Sequence, residues 1–318
     1  MALLLPLKSA AFGRAADAAK QGFLAAYSLP TPVRVYSADE DADDILAVYR
    51  HAVASGARIV VGPLTRNAVK TLIGSSGVNV PTLTLNAPEY QGTLPKKLFL
   101  FGLNSEAEAR QVAHVAYRDG KLNALAVYAD TPLGKRIAAA FAQEWQKLGR
   151  RVVAQIGFSD HPDEVSALAQ AVAAHPSDMI FLAASAAQAG MARPYLDASR
   201  SVYATSQIHQ GMVSPQINVD LDGITFVDMP WLLQPDHPAV MTYTRPPVGT
   251  AIDVERLYAL GIDAARLVVY LQLGTVNHGI VLDGVTGRIR QDGRQFTREL
   301  TVAQIQQGVA MVLDTPEP

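Results

Sequence analysis

The 318-residue chain contains no cysteine. That rules out a disulfide, a thiolate metal site and a cysteine nucleophile. Charge of either sign is also scarce: charged residues are 18% of the chain and nearly balanced, with a net charge of −2 and a pI near 6.4. Such a balance leaves no electrostatic footprint for nucleic acid. The longest apolar runs are strand-sized, too short for a transmembrane helix. No basic segment precedes the first apolar run, so no signal peptide is read at the start. Met1 leads straight into that run. Two readings stay open, a cytosolic protein or a chain cut at a domain edge, and the second is preferred. A strand needed at the centre of a sheet rarely starts at residue 2.

Glycine-rich chemistry is missing as well. The loop after the first apolar run has one glycine, Gly13, where a dinucleotide fold wants three, and neither common phosphate-loop pattern occurs. Gly74-Ser75-Ser76-Gly77 lacks the spacing of a nucleophile elbow. His51, His114, His161, His175, His209, His237 and His278 are scattered without the spacing of paired zinc ligands, and each reads as a surface or capping histidine. The acids Asp39, Glu40, Asp41, Asp43 and Asp44 lack the glycine and terminal acid of a calcium loop and read as the first turn of a helix. No acid–base constellation stands out, so neither catalysis nor a cofactor is expected.

Hydrophobic residues, at 49%, are ample for two cores. Ala2-Leu3-Leu4-Leu5 has no polar alternation, the pattern of a strand buried on both faces of a parallel sheet, and Pro6 ends it. Phe12, Ala16, Ala19, Phe23 and Tyr27 then form a helical stripe. Similar units follow. Further strands are expected at 33–36, 58–61, 80–85, 98–101, 123–128, 152–156, 179–183, 201–205 and 224–227. Thr65 is placed as an N-cap, Ser105 and Glu108 as a capping box, and Thr131-Pro132 as a helix start. After Thr205 the alternation breaks. The proline-rich stretch from Gln234 to Gly249 reads as loop, and a late helix carries Val254, Tyr258, Ile262, Ala265 and Val269 on one face. The tail reads as glycine turns with short extended pieces, then a helical start near Val302. The expected architecture is α/β with two doubly wound parallel-sheet lobes and multiple crossovers. Lobe one is placed at 1–103 and 234–277, lobe two at 104–233 and 278–318.

Ligands of such sheets bind at the carboxyl ends of the strands. Candidate cleft residues are therefore Ser9, Thr65, Asn86, Thr131, Ser185, Ser206 and Gln207, with Tyr258 on the returning helix. Thr65 and Thr131 head helices whose N–H groups could hold a carboxylate, although capping alone explains both. Thr65, Asn86, Ser206 and Tyr258 are expected to face one crevice.

The order of elements resembles the type I periplasmic binding-protein fold. More narrowly, the chain resembles the LpoA/LppC family of penicillin-binding-protein activators. The resemblance rests on Leu3-Leu4-Leu5-Pro6-Leu7, Gly62-Pro63-Leu64, Leu83-Thr84-Leu85-Asn86 and Ser105-Glu106-Ala107-Glu108-Ala109. Its strongest stretch is Phe141-Ala142-Gln143-Glu144-Trp145-Gln146-Lys147-Leu148-Gly149. Tyr203-Ala204-Thr205-Ser206, Gln210-Gly211, the run from Arg256 to Ala264, Gly284-Val285-Thr286-Gly287 and Arg298-Glu299-Leu300 add to it. The resemblance implies an outer-membrane lipoprotein of the periplasm that stimulates a class A penicillin-binding protein by contact, without catalysis. It also implies a membrane link only through a lipid anchor, and no anchor cysteine is in this chain. The family's larger members carry a preceding helical-repeat domain and an insertion near Val152, and neither is present here. The contact patch is expected on the returning tail and the outer surface of lobe two. The alternative is a solute receptor for an amino acid or small peptide, in which Asp263 is the nearest anchor for a ligand ammonium.

Overall fold

Consecutive residues of one strand serve opposite faces of a sheet, and the first strand shows what that requires. In the computed structural model, which describes residues 1–38, 42–211, 219–274 and 279–313, β1 (Ala2–Leu5) is wholly buried. Leu3 and Leu5 enter one apolar layer and Ala2 and Leu4 the other. β1 pairs in parallel with β2 (Arg34–Ser37) and β3 (Val60–Val61), and β4 (Thr82–Leu83) and β5 (Leu98–Phe99) extend the sheet in the order β2-β1-β3-β4-β5. Helices α2 (Ala42–Ala54) and α3 (Arg66–Ile73) cover the Leu4 face. The Leu3 face is covered by α1 (Gly13–Ala26) and by a helix from far along the chain, Ile252–Leu273.

The chain forms two units, Met1–Asn104 with Gln234–Glu299 and Ser105–Leu233 with Leu300–Pro318, and passes between them three times. The first unit keeps three strands that the sequence reading assigned to lobe two: β11 (Val281–Gly284), β12 (Gly287–Asp292) and β13 (Gln295–Glu299), an antiparallel sheet. Leu282, Ile289 and Phe296 bury in the first unit's core, and Phe296 N–H donates to the Leu100 carbonyl at 2.8 Å. Burial of those side chains, not the glycine turns between the strands, fixes which unit they join.

The second unit carries a seven-stranded sheet. β6 (Asn123–Ala129), β7 (Arg151–Phe158), β8 (Met179–Ala183), β9 (Ser201–Ala204) and β10 (Thr225–Asp228) run parallel in the order β7-β6-β8-β9-β10. One face packs on α4 (Ser105–Arg118) and α5 (Pro132–Lys147), where Phe141 stacks on Phe181 at 4.0 Å between centroids and on Trp145 at 5.6 Å. The other packs on α6 (Pro162–Ala173) and α7 (Ala186–Ala192). Two further strands correct the expected helix near Val302: β14 (Thr301–Gln306) pairs antiparallel with β10, and β15 (Val309–Val312) pairs with β14. Ala303 and Ile305 sit two apart and both reach the core, so the period is that of a strand. Gln307 and Gly308, at φ of 52° and 75°, make the tight turn.

A short helix, Pro230–Leu233 (α8), precedes the proline-rich stretch, and another, Pro238–Met241 (α9), interrupts it before Ile252–Leu273, here α10. The face read from sequence for α10 is only half right. Ile262 and Ala265 are buried, but Val254, Tyr258 and Val269 are half-buried, and the core face is Leu260, Ala264, Leu267, Val268 and Leu271. A helix enclosed on most sides has a weak amphipathic signal. Asp39, Glu40 and Asp41 of the acidic run and His278 lie outside the described residues.

Within the second unit the buried Tyr203 hydroxyl donates to Asp119 Oδ2 at 2.6 Å. Burial and that carboxylate hold its phenol far above the usual tyrosine range. Tyr203→Phe removes a hydrogen bond to a charged acceptor and is expected to cost about 1–2 kcal/mol, since exposed Asp119 can rehydrate. Urea midpoints of the two proteins, compared at equal slope, check it; an unchanged midpoint counts against the bond's contribution.

Candidate functional site

The strand ends of each unit position the residues picked from sequence. In the first unit Thr65 is the N-cap of α3, its Oγ1 accepting from Ala68 N–H at 3.4 Å. Asn86 is half-buried and donates through Nδ2 to the Leu64 carbonyl at 3.1 Å. Its own carbonyl accepts from the Thr84 hydroxyl at 2.7 Å. Thr65 and Asn86 are therefore brought close through Leu64, and the Asn86 amide braces the loop that carries Thr65. Ser9, half-buried, accepts from Phe12 N–H at 2.9 Å ahead of α1. Each polar group here has a structural task.

In the second unit Thr131, Ser185 and Gln207 come together around a small cavity of about 60 Å³, with Gly134 and Gln188. Thr131 Oγ1 accepts from Gly134 N–H at 3.0 Å at the start of α5. Ser185 and Gln188 form a reciprocal capping box at the start of α7. The cavity has room for only a few waters as it stands, and its polar rim is largely committed to helix caps.

Ser206 corrects the expected set. It is buried, and its Oγ and N–H both donate to Glu108 Oε2, at 2.7 and 3.3 Å. The expected Ser105–Glu108 capping box gives way for the same reason: α4 begins at Ser105 itself, and the Glu108 carboxylate turns to β9's end. His209 corrects a second expectation. It is buried, not a surface histidine, and its Nδ1–H donates to Asp228 Oδ2 at 2.8 Å while Met229 N–H donates to Asp228 Oδ1 at 2.8 Å. A carboxylate–imidazole pair belongs to nucleophilic catalysis only when the imidazole faces a hydroxyl or thiol. Here the adjacent Ser206 hydroxyl is held by Glu108 instead. Three chain segments lock together: α4, the turn after β9 and the end of β10. Scattered spacing in sequence hides such a cluster, because its members are about 20 and 100 residues apart.

Tyr258 stands elsewhere in the first unit, in a groove bounded by α1 and the loop before α10, with its hydroxyl donating to the Thr244 carbonyl at 3.0 Å. Asp263, the anchor considered for a ligand ammonium, is fully buried and accepts from Val285 N–H, Thr286 N–H, Thr286 Oγ1 and Arg266. It braces α10 against the β11–β12 turn and offers nothing to a solute. Among the described residues no group of three or more His, Asp and Glu side chains could hold a metal ion, and no helix is long and apolar enough to cross a membrane.

The comparisons with known proteins agree on the family. Residues 1–308 match the model of the family described as "LppC putative lipoprotein". Penicillin-binding protein activator LpoA of Pantoea ananatis is 29% identical over 87% of this chain, and that of Yersinia pseudotuberculosis is 29% identical over 88%. These alignments cover 47% and 49% of the relatives, so the chain spans about half the length of the curated relatives it matches. Among solved structures, the C-domain of LpoA from Haemophilus influenzae, described as a regulator of PBP1A, superposes with a TM-score of 0.82 at 23% identity, covering 98% of this chain and 99% of that one. A protein from Chromobacterium violaceum, described as a putative branched-chain amino acid ABC transporter, has a TM-score of 0.78 at 36% identity, with 95% and 98% covered. The two parallel-sheet units are those of the type I periplasmic binding-protein fold shared by these neighbours, and the chain belongs to the LppC family.

Proposed function

We propose that this chain is the contact-making domain of a periplasmic activator of a class A penicillin-binding protein, without catalysis of its own. In the full-length protein it would be held at the outer membrane by a lipid anchor. The observation that carries the reading is family membership across residues 1–308 together with identity to LpoA activators over most of the chain. The commitment of Asp263 to the β11–β12 turn supports it, since that residue was the anchor considered for a receptor's ligand. The test is the glycan-polymerising and crosslinking rate of the cognate synthase with and without this protein. Stimulation is expected, and Thr65→Ala with Asn86→Ala is expected to leave it largely intact, because both side chains serve the loop they stand on.

A second reading, a solute receptor for an amino acid or small peptide, is favoured by one observation: 36% identity, over 95% of the chain, to the protein described as a putative branched-chain amino acid ABC transporter. A thermal-shift screen against amino acids and cell-wall peptides separates the two. A bound solute at a hundredfold excess over its Kd raises stability by about 2.7 kcal/mol. Micromolar binding of a free amino acid without any stimulation of the synthase would overturn the activator reading.

A further inference from the structure

The loop before α10 is braced by its own prolines. Thr250 donates to the Pro247 carbonyl through both Oγ1, at 2.7 Å, and N–H, at 3.1 Å. Tyr258 ties Thr244 to α10. Together with α1 this loop encloses a groove of about 700 Å³, entirely within the first unit. Leu7, Pro246, Pro247, Val254 and the Tyr258 ring supply apolar wall, and Val248 stands fully exposed at the loop tip. The volume lies within the range of ligand clefts.

The charges in the groove do not cancel. Asp17 is paired with Lys20 at 2.6 Å, and Arg245 lies 4.0 Å from Glu255. Arg14 is exposed, and its side chain makes no hydrogen bond or ion pair among the described residues. It also stands in the first turn of α1, which has no acid, where the helix dipole disfavours a cation. Helix stability therefore does not explain Arg14. A carboxylate arriving there would meet both the guanidinium and the positive end of α1. Among the described lining residues Asp17 is the one acid against Arg14, Lys20 and Arg245, so the groove favours an anion over a zwitterion.

We propose that the groove receives an extended apolar segment of a protein partner, with one carboxylate of that segment paired to Arg14. The proposal rests on the contact-activator reading and places the contact on the first unit, where the sequence alone pointed to the second. Its test is fluorescence anisotropy of the purified chain with labelled short peptides in which leucine alternates with glutamate, against the same peptides with lysine for glutamate. Saturable binding of the acidic peptide is expected, weakened about tenfold by Arg14→Glu. Gln21→Trp, which fills the groove from an exposed position on α1, should weaken it similarly, and neither change should lower the unfolding midpoint. Arg14→Glu should bind the lysine peptide better than wild type does. No saturable binding up to about 1 mM, equal binding of both peptides, or displacement of the peptide by a free amino acid overturns the proposal. In the synthase assay, full stimulation by Arg14→Glu and Gln21→Trp overturns the groove as the contact while the activator reading stands. Absence of stimulation by wild type overturns that reading, and the peptide titration then decides the groove by itself.

Discussion

Asp263→Ala is expected to destabilise the protein by about 3–5 kcal/mol, the cost of leaving buried donors and a charge without their partner. The carboxylate lies at zero exposure and accepts four hydrogen bonds: from Thr286 N–H and Oγ1, both at 2.7 Å, and from Val285 N–H and Arg266, both at 3.1 Å. The first three donors belong to the turn between β11 and β12, so the loss unpins the small sheet from α10. Asp263→Asn keeps part of the acceptor capacity and should cost less. Burial pushes the Asp263 carboxyl above the ordinary carboxylate range, against the pull of Arg266 and of the Thr286 and Val285 donors. For an acid raised on folding, the native state binds the proton more tightly. Its stabilising contribution is full below the unfolded pKa and falls as pH climbs through the folded one. The stability gap between wild type and Asp263→Asn should therefore narrow as pH rises above the ordinary carboxylate range. Chemical denaturation across that range measures both effects; a Asp263→Ala protein with wild-type stability would mean the turn is held by something else.

Gly261→Ala should be nearly as damaging, against helix propensity. In an exposed helix interior, glycine to alanine gains about 1 kcal/mol. In α10, however, a Cβ on Gly261 would lie 2.1 Å from the Ala19 carbonyl oxygen and 2.6 Å from Phe23 N, both backbone atoms of α1. Across the same contact a Cβ on Gly22 would lie 1.8 Å from the Tyr258 carbonyl oxygen. Backbone cannot rotate away as a side chain can, so the two helices must part, and Phe23, Leu260 and Ala264 lose their packing. The expected cost is about 2–4 kcal/mol, in the range of overpacked and cavity-bearing cores. Gly190→Ala is the control. It lies in α7 with open space where the Cβ would go, and it should be neutral or stabilising by up to about 1 kcal/mol. Calorimetry of the three proteins decides the matter. Equal effects at Gly261 and Gly190 would show that propensity, not close approach, governs both.

Several features of this protein needed only local chemistry and were legible in the chain. β1 is a run of apolar residues because both sides of it are covered, and Pro6 ends it for want of an N–H. Thr65 and Thr131 are helix caps because their hydroxyls reach an N–H three residues on. The alternation of strand and helix up to Thr205 follows from hydrophobic periodicity, and the family resemblance followed from the same stretches. Tertiary structure decided where local preference was balanced or silent. Thr301–Gln306 could start a helix by composition, yet β10 offers an unpaired edge, and the strand satisfies its backbone there. Residues 279–299 carry no mark of their unit until Leu282, Ile289 and Phe296 find a core to bury in. Glu108 has the spacing of a cap, but a buried hydroxyl 98 residues away claims its carboxylate. His209 and Asp228 become a pair only when the ends of β9 and β10 lie side by side. The groove at Arg14 is likewise invisible in sequence, because its walls come from α1 and from a loop more than 200 residues downstream. A partner close in sequence is chosen by backbone geometry that any reader of the chain can reconstruct. A distant one is chosen by the burial of side chains in a shared core, which depends on every strand being in place.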